Sequence, residues 1–139
     1  MTENLQGEGL IEAIAVAIRD GQKYIKDLAK DLEKCAQTLR VEHSRGVFTT
    51  IANNIESLKA LMEFGEELRN SLARTSGIDV RIESILPKDD FLNVFQAIVA
   101  AFEARDWVAL ADLIQYELLP LIQRSSEELT LLEAKLVKK

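Results

Sequence analysis

The reactive side chains in this sequence are few: one histidine, one cysteine and a scatter of carboxylates. His43 and Cys35 cannot complete a zinc site of the usual kind, which takes three or four protein ligands. Di-iron bundles draw their ligands from Glu-x-x-His motifs, whereas Arg40 stands three residues before His43. The G-E-G at residues 7–9 is too short for a phosphate-cradling loop. Cys35 lies in an apolar run at helical spacing, which reads as a core thiol rather than a nucleophile. Glu63, Glu66 and Glu67 cluster on one helical stretch and read as a solvated acidic face. A carboxylate patch for a cation or a basic partner is the alternative.

The remaining acid is Glu117, in the stretch ADLIQYELLPLIQ at residues 111–123. At about 100° per residue, Asp112, Gln115, Tyr116, Leu119 and Gln123 share a polar strip. Trp107, Leu110, Ile114, Leu118 and Leu121 cover the opposite side. Glu117 falls between Leu110 and Leu113, at the edge of the apolar arc. A carboxylate there must be paired, hydrogen-bonded or protonated, so Glu117 is the candidate buried acid. Pro120 cannot donate to the carbonyl of Tyr116. It falls near the polar boundary, where a bend around the core is cheap.

Helices must position these groups. Ile11, Ile14, Ile18, Gly21, Ile25, Leu28, Leu32, Cys35 and Leu39 alternate three and four apart, predicting one amphipathic helix over residues 9–41. Phe48, Ile51, Ile55, Leu58, Met62, Gly65 and Leu72 repeat the pattern over 47–74. The link V-E-H-S-R-G holds turn residues and is short enough to make the two helices antiparallel neighbours. In that register Gly21 and Gly65 lie at one height. Each glycine costs about 1 kcal/mol relative to alanine inside a helix, so the pair marks a candidate close contact or small apolar cavity. Residues 75–87 alternate Ile78, Val80 and Ile82 with charges. They read as an extended connector, and the fifteen-residue stretch 75–89 can reach about 45–50 Å if extended. A third helix is predicted over 88–104, with Asp89 and Asp90 in its first turn. A fourth runs from Trp107 towards Val137 after an Asp106 N-cap. Ser125 with Glu128 resembles a capping box and raises a possible restart there.

The fold these elements predict is all-α: one domain, a four-helix bundle of two antiparallel helical hairpins, 9–74 and 88–137, joined by the extended connector, with residues 1–8 flexible. A length of 139 residues suits one domain. The formal net charge of −6 repels phosphate backbones and argues against nucleic acid. The single cysteine fits a reducing compartment. No uncharged stretch is long enough to span a membrane, so a cytoplasmic protein with no membrane partner is expected.

Residues 103–120, E-A-R-D-W followed by V-A-L-A-D-L-I-Q-Y-E-L-L-P, resemble a segment of uncharacterised bacterial helical-bundle proteins of unknown function. The matching positions are Ala111, Asp112, Leu113, Ile114, Tyr116, Glu117, Leu118 and Pro120. The resemblance implies a bacterial cytosolic protein and carries no function with it.

Helices three and four are apolar around more of their circumference than a monomeric bundle needs. Val108, Tyr116, Leu119 and Ile122 are therefore the candidate interface for a homodimer or protein partner. The expected function is a non-catalytic interaction module, adaptor or chaperone-like, that self-associates. No catalytic, cofactor-binding or metal-binding residue is assigned and no cofactor is expected. Two alternatives are a binder of a small apolar ligand beside Gly21 and Gly65, and an enzyme using Glu117 or the Glu63–Glu67 acids.

Overall fold

The computed structural model describes the backbone of residues 2–74 and 86–137 and the side chains of residues 9–74 and 86–136. The chain is all-α, and the described residues contain no strand. The elements are α1 (Thr2–Leu39), α2 (Arg45–Ala73), α3 (Lys88–Glu103), α4 (Trp107–Asp112), a π-helical segment (Leu113–Leu118) and α5 (Leu119–Val137). Most of the expected connector, 75–85, lies outside the described residues.

The α1 stripe behaves as its spacing predicts. Ile14, Ile18, Gly21, Ile25, Leu28, Leu32, Cys35 and Leu39 are all buried. The helix starts earlier than that stripe suggests, at Thr2 rather than near residue 9. An apolar stripe marks where packing begins, whereas backbone hydrogen bonding can begin before it. After α1, the Glu42 N–H donates to the Thr38 carbonyl at 2.8 Å. The His43 Nε2 meets the Leu39 carbonyl, also at 2.8 Å, so a side chain satisfies one of the carbonyls left open at the helix end.

On α2 the buried stripe is offset from the expected one. It runs Val47, Ile51, Asn54, Leu58, Leu61, Gly65, Leu68 and Leu72. Phe48, Ile55 and Met62 are half-buried flanks. Asn54 sits in this row as a polar residue at a core position, a place that a search for apolar spacing passes over.

Helix α1 packs most extensively on α5 and α2, and α3 lies against α4 and the π segment. Polar pairs on the rim fix the direction of α1 against the C-terminal rod. Arg19 donates to Glu133 at 2.8 Å, Gln22 pairs with Thr130 at 2.8 Å, and Arg40 reaches Asp112 at 2.8 Å. Partner numbers fall as α1 numbers rise, so the two run antiparallel. These are exposed contacts, each worth well under about 1 kcal/mol; they set register more than stability.

The turn from α3 into α4 is a Schellman closure. Asp106 N–H donates to the Ala101 carbonyl at 3.0 Å and Arg105 N–H to the Phe102 carbonyl at 3.1 Å. Arg105 takes the left-handed conformation this requires, with φ 56. The Asp106 carboxylate then accepts from Ala109 N–H at 3.1 Å as the expected N-cap. Trp107 stacks on Phe48 with ring centres 4.7 Å apart, and Phe102 meets both rings edge-on.

No restart occurs at Ser125. Helix α5 passes through it, and the buried hydroxyl donates to the Leu121 carbonyl at 3.0 Å inside the helix. A serine that can satisfy itself on the preceding turn need not act as a cap.

Candidate functional site

The π segment at Leu113–Leu118 overturns the expectation for Glu117. Here Leu119 N–H donates to the Ile114 carbonyl, five residues back. A π turn holds more residues than an α turn, so each residue advances by less than the 100° on which the wheel was drawn. Ile114 and Leu118 keep their places in the core, while Gln115, Tyr116 and Glu117 all bulge into solvent. Glu117 is exposed and is not a buried acid. The bulge sits one turn before Pro120, which has no N–H to give the Tyr116 carbonyl. Widening the turn loosens the ladder where the proline would break it.

The candidate interface is likewise divided. Val108 and Tyr116 are exposed, at 64% and 66%. Ile122 is fully buried and Leu119 is half-buried against the core. The phase change across the π segment turns Ile122 inward beside Leu121, so it cannot belong to a free surface. Asp112 and Gln115, on the expected polar strip, both accept from the Arg40 guanidinium at 2.8 Å. Glu63, Glu66 and Glu67 are exposed. Among the described residues no three His, Cys, Asp or Glu side chains group as metal ligands would.

Each stripe glycine is met by a large side chain. A Cβ on Gly21 would lie 2.7 Å from the end of the Phe64 ring. One on Gly65 would lie 2.8 Å from the Cβ of Leu86. Leu86 is buried, has φ 48, and its carbonyl accepts from Arg69 Nη1 at 2.8 Å. Leu86, in the described end of the expected connector, is thus pinned onto α2 at Gly65. An open hollow of about 350 Å³ lies between α1 and α2 on the Gly21 side. Ala17, Gly21, Tyr24, Ala60, Leu61 and Phe64 line it, with Asp20 as its one acid. The Tyr24 hydroxyl donates to the Ser57 carbonyl across it at 3.0 Å.

Nearer the α1–α2 turn a second groove, of about 550 Å³, opens between the same helices, with Asp31, Lys34, Cys35, Glu42 and Asn54 among its lining. Cys35 and Asn54 form its inner wall and also line the small apolar hollow beneath it. Burial pushes the Cys35 thiol pKa up, and the adjacent Asn54 amide offsets part of that rise. Asn54 is only 7% exposed, and its Nδ2 makes no hydrogen bond among the described residues. A neutral sulfur is a weak acceptor, so proximity to Cys35 leaves that donor unsatisfied. Sequence reasoning missed this residue. The signal was present as an asparagine at core spacing, four before Leu58 and three after Ile51.

Residues 16–128 match the model of a family described as a domain of unknown function (DUF8042). The chain belongs to that family. The match takes in both grooves, the aromatic cluster at the turns and the π segment of this DUF8042 domain. No curated protein and no solved structure matches the chain. None of the described helices is long and apolar enough to cross a membrane.

Proposed function

We propose that this DUF8042 domain is a non-catalytic protein–protein interaction module that self-associates, its helices arranged as a bundle of two antiparallel hairpins. The observation that carries the reading is the open hollow beside Gly21. Its lining is apolar apart from Asp20, and three of its residues are Ala or Gly. Small residues let a second helix approach closely, and an apolar groove open along its length suits a helix rather than an engulfed molecule. Val16 and Tyr24 add exposed apolar surface on the same helix. The occupant is a helix of a second copy, whose exposed Val108 and Tyr116 supply apolar anchors. The cytoplasmic and bacterial setting suggested by the sequence belongs to the same proposal.

Sedimentation velocity across micromolar concentrations tests it. A concentration-dependent dimer is expected, and Ala60→Arg should shift it towards the 15.6 kDa monomer, since Ala60 is exposed and its substitution leaves the core alone. A single monomeric species throughout refutes self-association.

A second reading has the same hollow as its support. A small apolar ligand beside Phe64 would bury its surface against the same lining. Stabilisation of the fold by a medium-chain alkanol, lost on Ala60→Arg, would favour it. The enzyme alternative rests on Glu117 or the Glu63–Glu67 acids, and Glu63, Glu66, Glu67 and Glu117 are all exposed.

A further inference from the structure

The hollow beside Gly21 has edges as well as a floor, and the edges are acidic. At about 100° per residue, Glu63 and Glu67 fall within about 60° of Ala60 on the solvent side of α2. Asp20 and Asp27 fall within about 80° of Ala17 on the solvent side of α1. All four carboxylates are exposed, and none is in an ion pair among the described residues. The nearby cations do not cover them. Lys59 is held on Glu56 at 3.5 Å and lies 5.9 Å from the centre of the Phe95 ring, which belongs to α3. Lys23 falls about 60° further round α1 than Asp20, away from the groove. A floor of small and apolar residues thus runs between two negative edges.

That arrangement selects by charge. A guest helix lying along the groove buries an apolar stripe against Ala17, Gly21, Ala60 and Phe64, and its flanks come to rest against carboxylates. Basic flanks are attracted there and acidic flanks repelled. The spacing follows from the helix rise of about 1.5 Å per residue. Asp20 and Asp27 are seven residues apart, about 10.5 Å, and Glu63 and Glu67 are four apart, about 6 Å. Lysines or arginines that recur every three, four or seven residues beside an apolar stripe meet both edges at once. A second copy matches the edges less well, since its Tyr116 stands next to the exposed Glu117.

On the reading of the hollow as a helix groove, on which this inference rests, we propose that it binds a basic amphipathic helix of another protein in preference to a second copy. The probe is a labelled synthetic helix of about fourteen residues, all leucine and lysine, with its leucines spaced as one apolar stripe. Fluorescence anisotropy against the full chain should give saturable binding at low micromolar concentration in about 0.05 M sodium chloride, weakening at least tenfold at about 0.5 M. Neither a scrambled peptide of the same composition nor the version with glutamate for lysine should bind. Glu63→Lys with Glu67→Lys should weaken binding at least tenfold. Glu127→Lys with Glu128→Lys makes the same change in net charge at exposed positions of α5 and should leave the affinity unchanged. Ala60→Arg should abolish binding. The proposal is overturned if the leucine–lysine helix does not bind, if the scrambled peptide binds as well, if the two double variants lose affinity equally, or if Ala60→Arg still binds. A helix that fails to bind while Ala60→Arg still dissociates the dimer removes the basic partner and leaves the groove. If Ala60→Arg changes neither peptide binding nor self-association, the groove reading falls and the basic partner with it.

Discussion

Arg105 shows how a single residue can carry a cost that the fold accepts. Its φ of 56 closes the end of α3, and a side chain in that region is disfavoured by about 1–2 kcal/mol. Glycine takes the same conformation freely. Arg105→Gly should therefore stabilise the protein by about 1 kcal/mol, read as a higher urea midpoint with an unchanged slope. At Cys35 the argument concerns protons. Burial raises the thiol pKa above its ordinary value of 9.0, so as pH climbs past that value the unfolded chain loses this proton first. The folded state then holds more protons than the unfolded one, and stability falls with rising pH. The contribution is fully present below pH 9.0 and is lost above it, towards the folded pKa. Subtracting the stability–pH curve of Cys35→Ala from that of the wild type between about pH 8 and pH 10.5 should isolate a negative alkaline slope. A flat difference would remove the thiol from the account.

At the scale of elements, the two stripe glycines look equivalent in the sequence and differ in what they meet. Alanine gains about 1 kcal/mol over glycine inside a helix. At Gly21 the obstacle is the far end of the Phe64 ring, a half-buried side chain beside an open hollow, which can swing aside. Gly21→Ala should be close to neutral. At Gly65 the obstacle is the Cβ of Leu86, on a left-handed backbone held by Arg69, and overpacking there costs about 1–3 kcal/mol. Gly65→Ala should lose stability on balance, and thermal melts of the two variants should rank them in that order. The sequence showed that both positions need small residues, because the stripe passes through them. It did not reveal the occupants, since Leu86 arrives from another part of the chain. The same boundary recurs elsewhere. Ile18, Ile25, Leu28 and Leu32 could be placed in the core because they repeat with α-helical spacing, a local property. Glu117 and Ile122 were misplaced because a π segment changes that spacing, and residue types alone do not announce one. Asn54 was hidden by its polarity, although its position in the α2 row obeys the rule that found its neighbours.

At the scale of the whole molecule, charge and apolar surface act in opposition. Each copy carries a formal −6, so two copies repel. The proposed contact at the Gly21 hollow is apolar and holds one acid, Asp20. Burial of apolar surface is indifferent to modest salt, whereas repulsion between like-charged molecules is screened as the Debye length falls from about 30 Å at 0.01 M to about 10 Å at 0.1 M. Self-association should therefore strengthen with sodium chloride over that range, and the dimer fraction at fixed protein concentration should rise in sedimentation equilibrium. Ala60→Arg should abolish that rise, although it makes the net charge less negative and would promote association if repulsion alone were the control. A dimer that weakens as salt is added would instead be held by opposite charges. That outcome would move the interface away from the Gly21 hollow and onto charged faces of the helices.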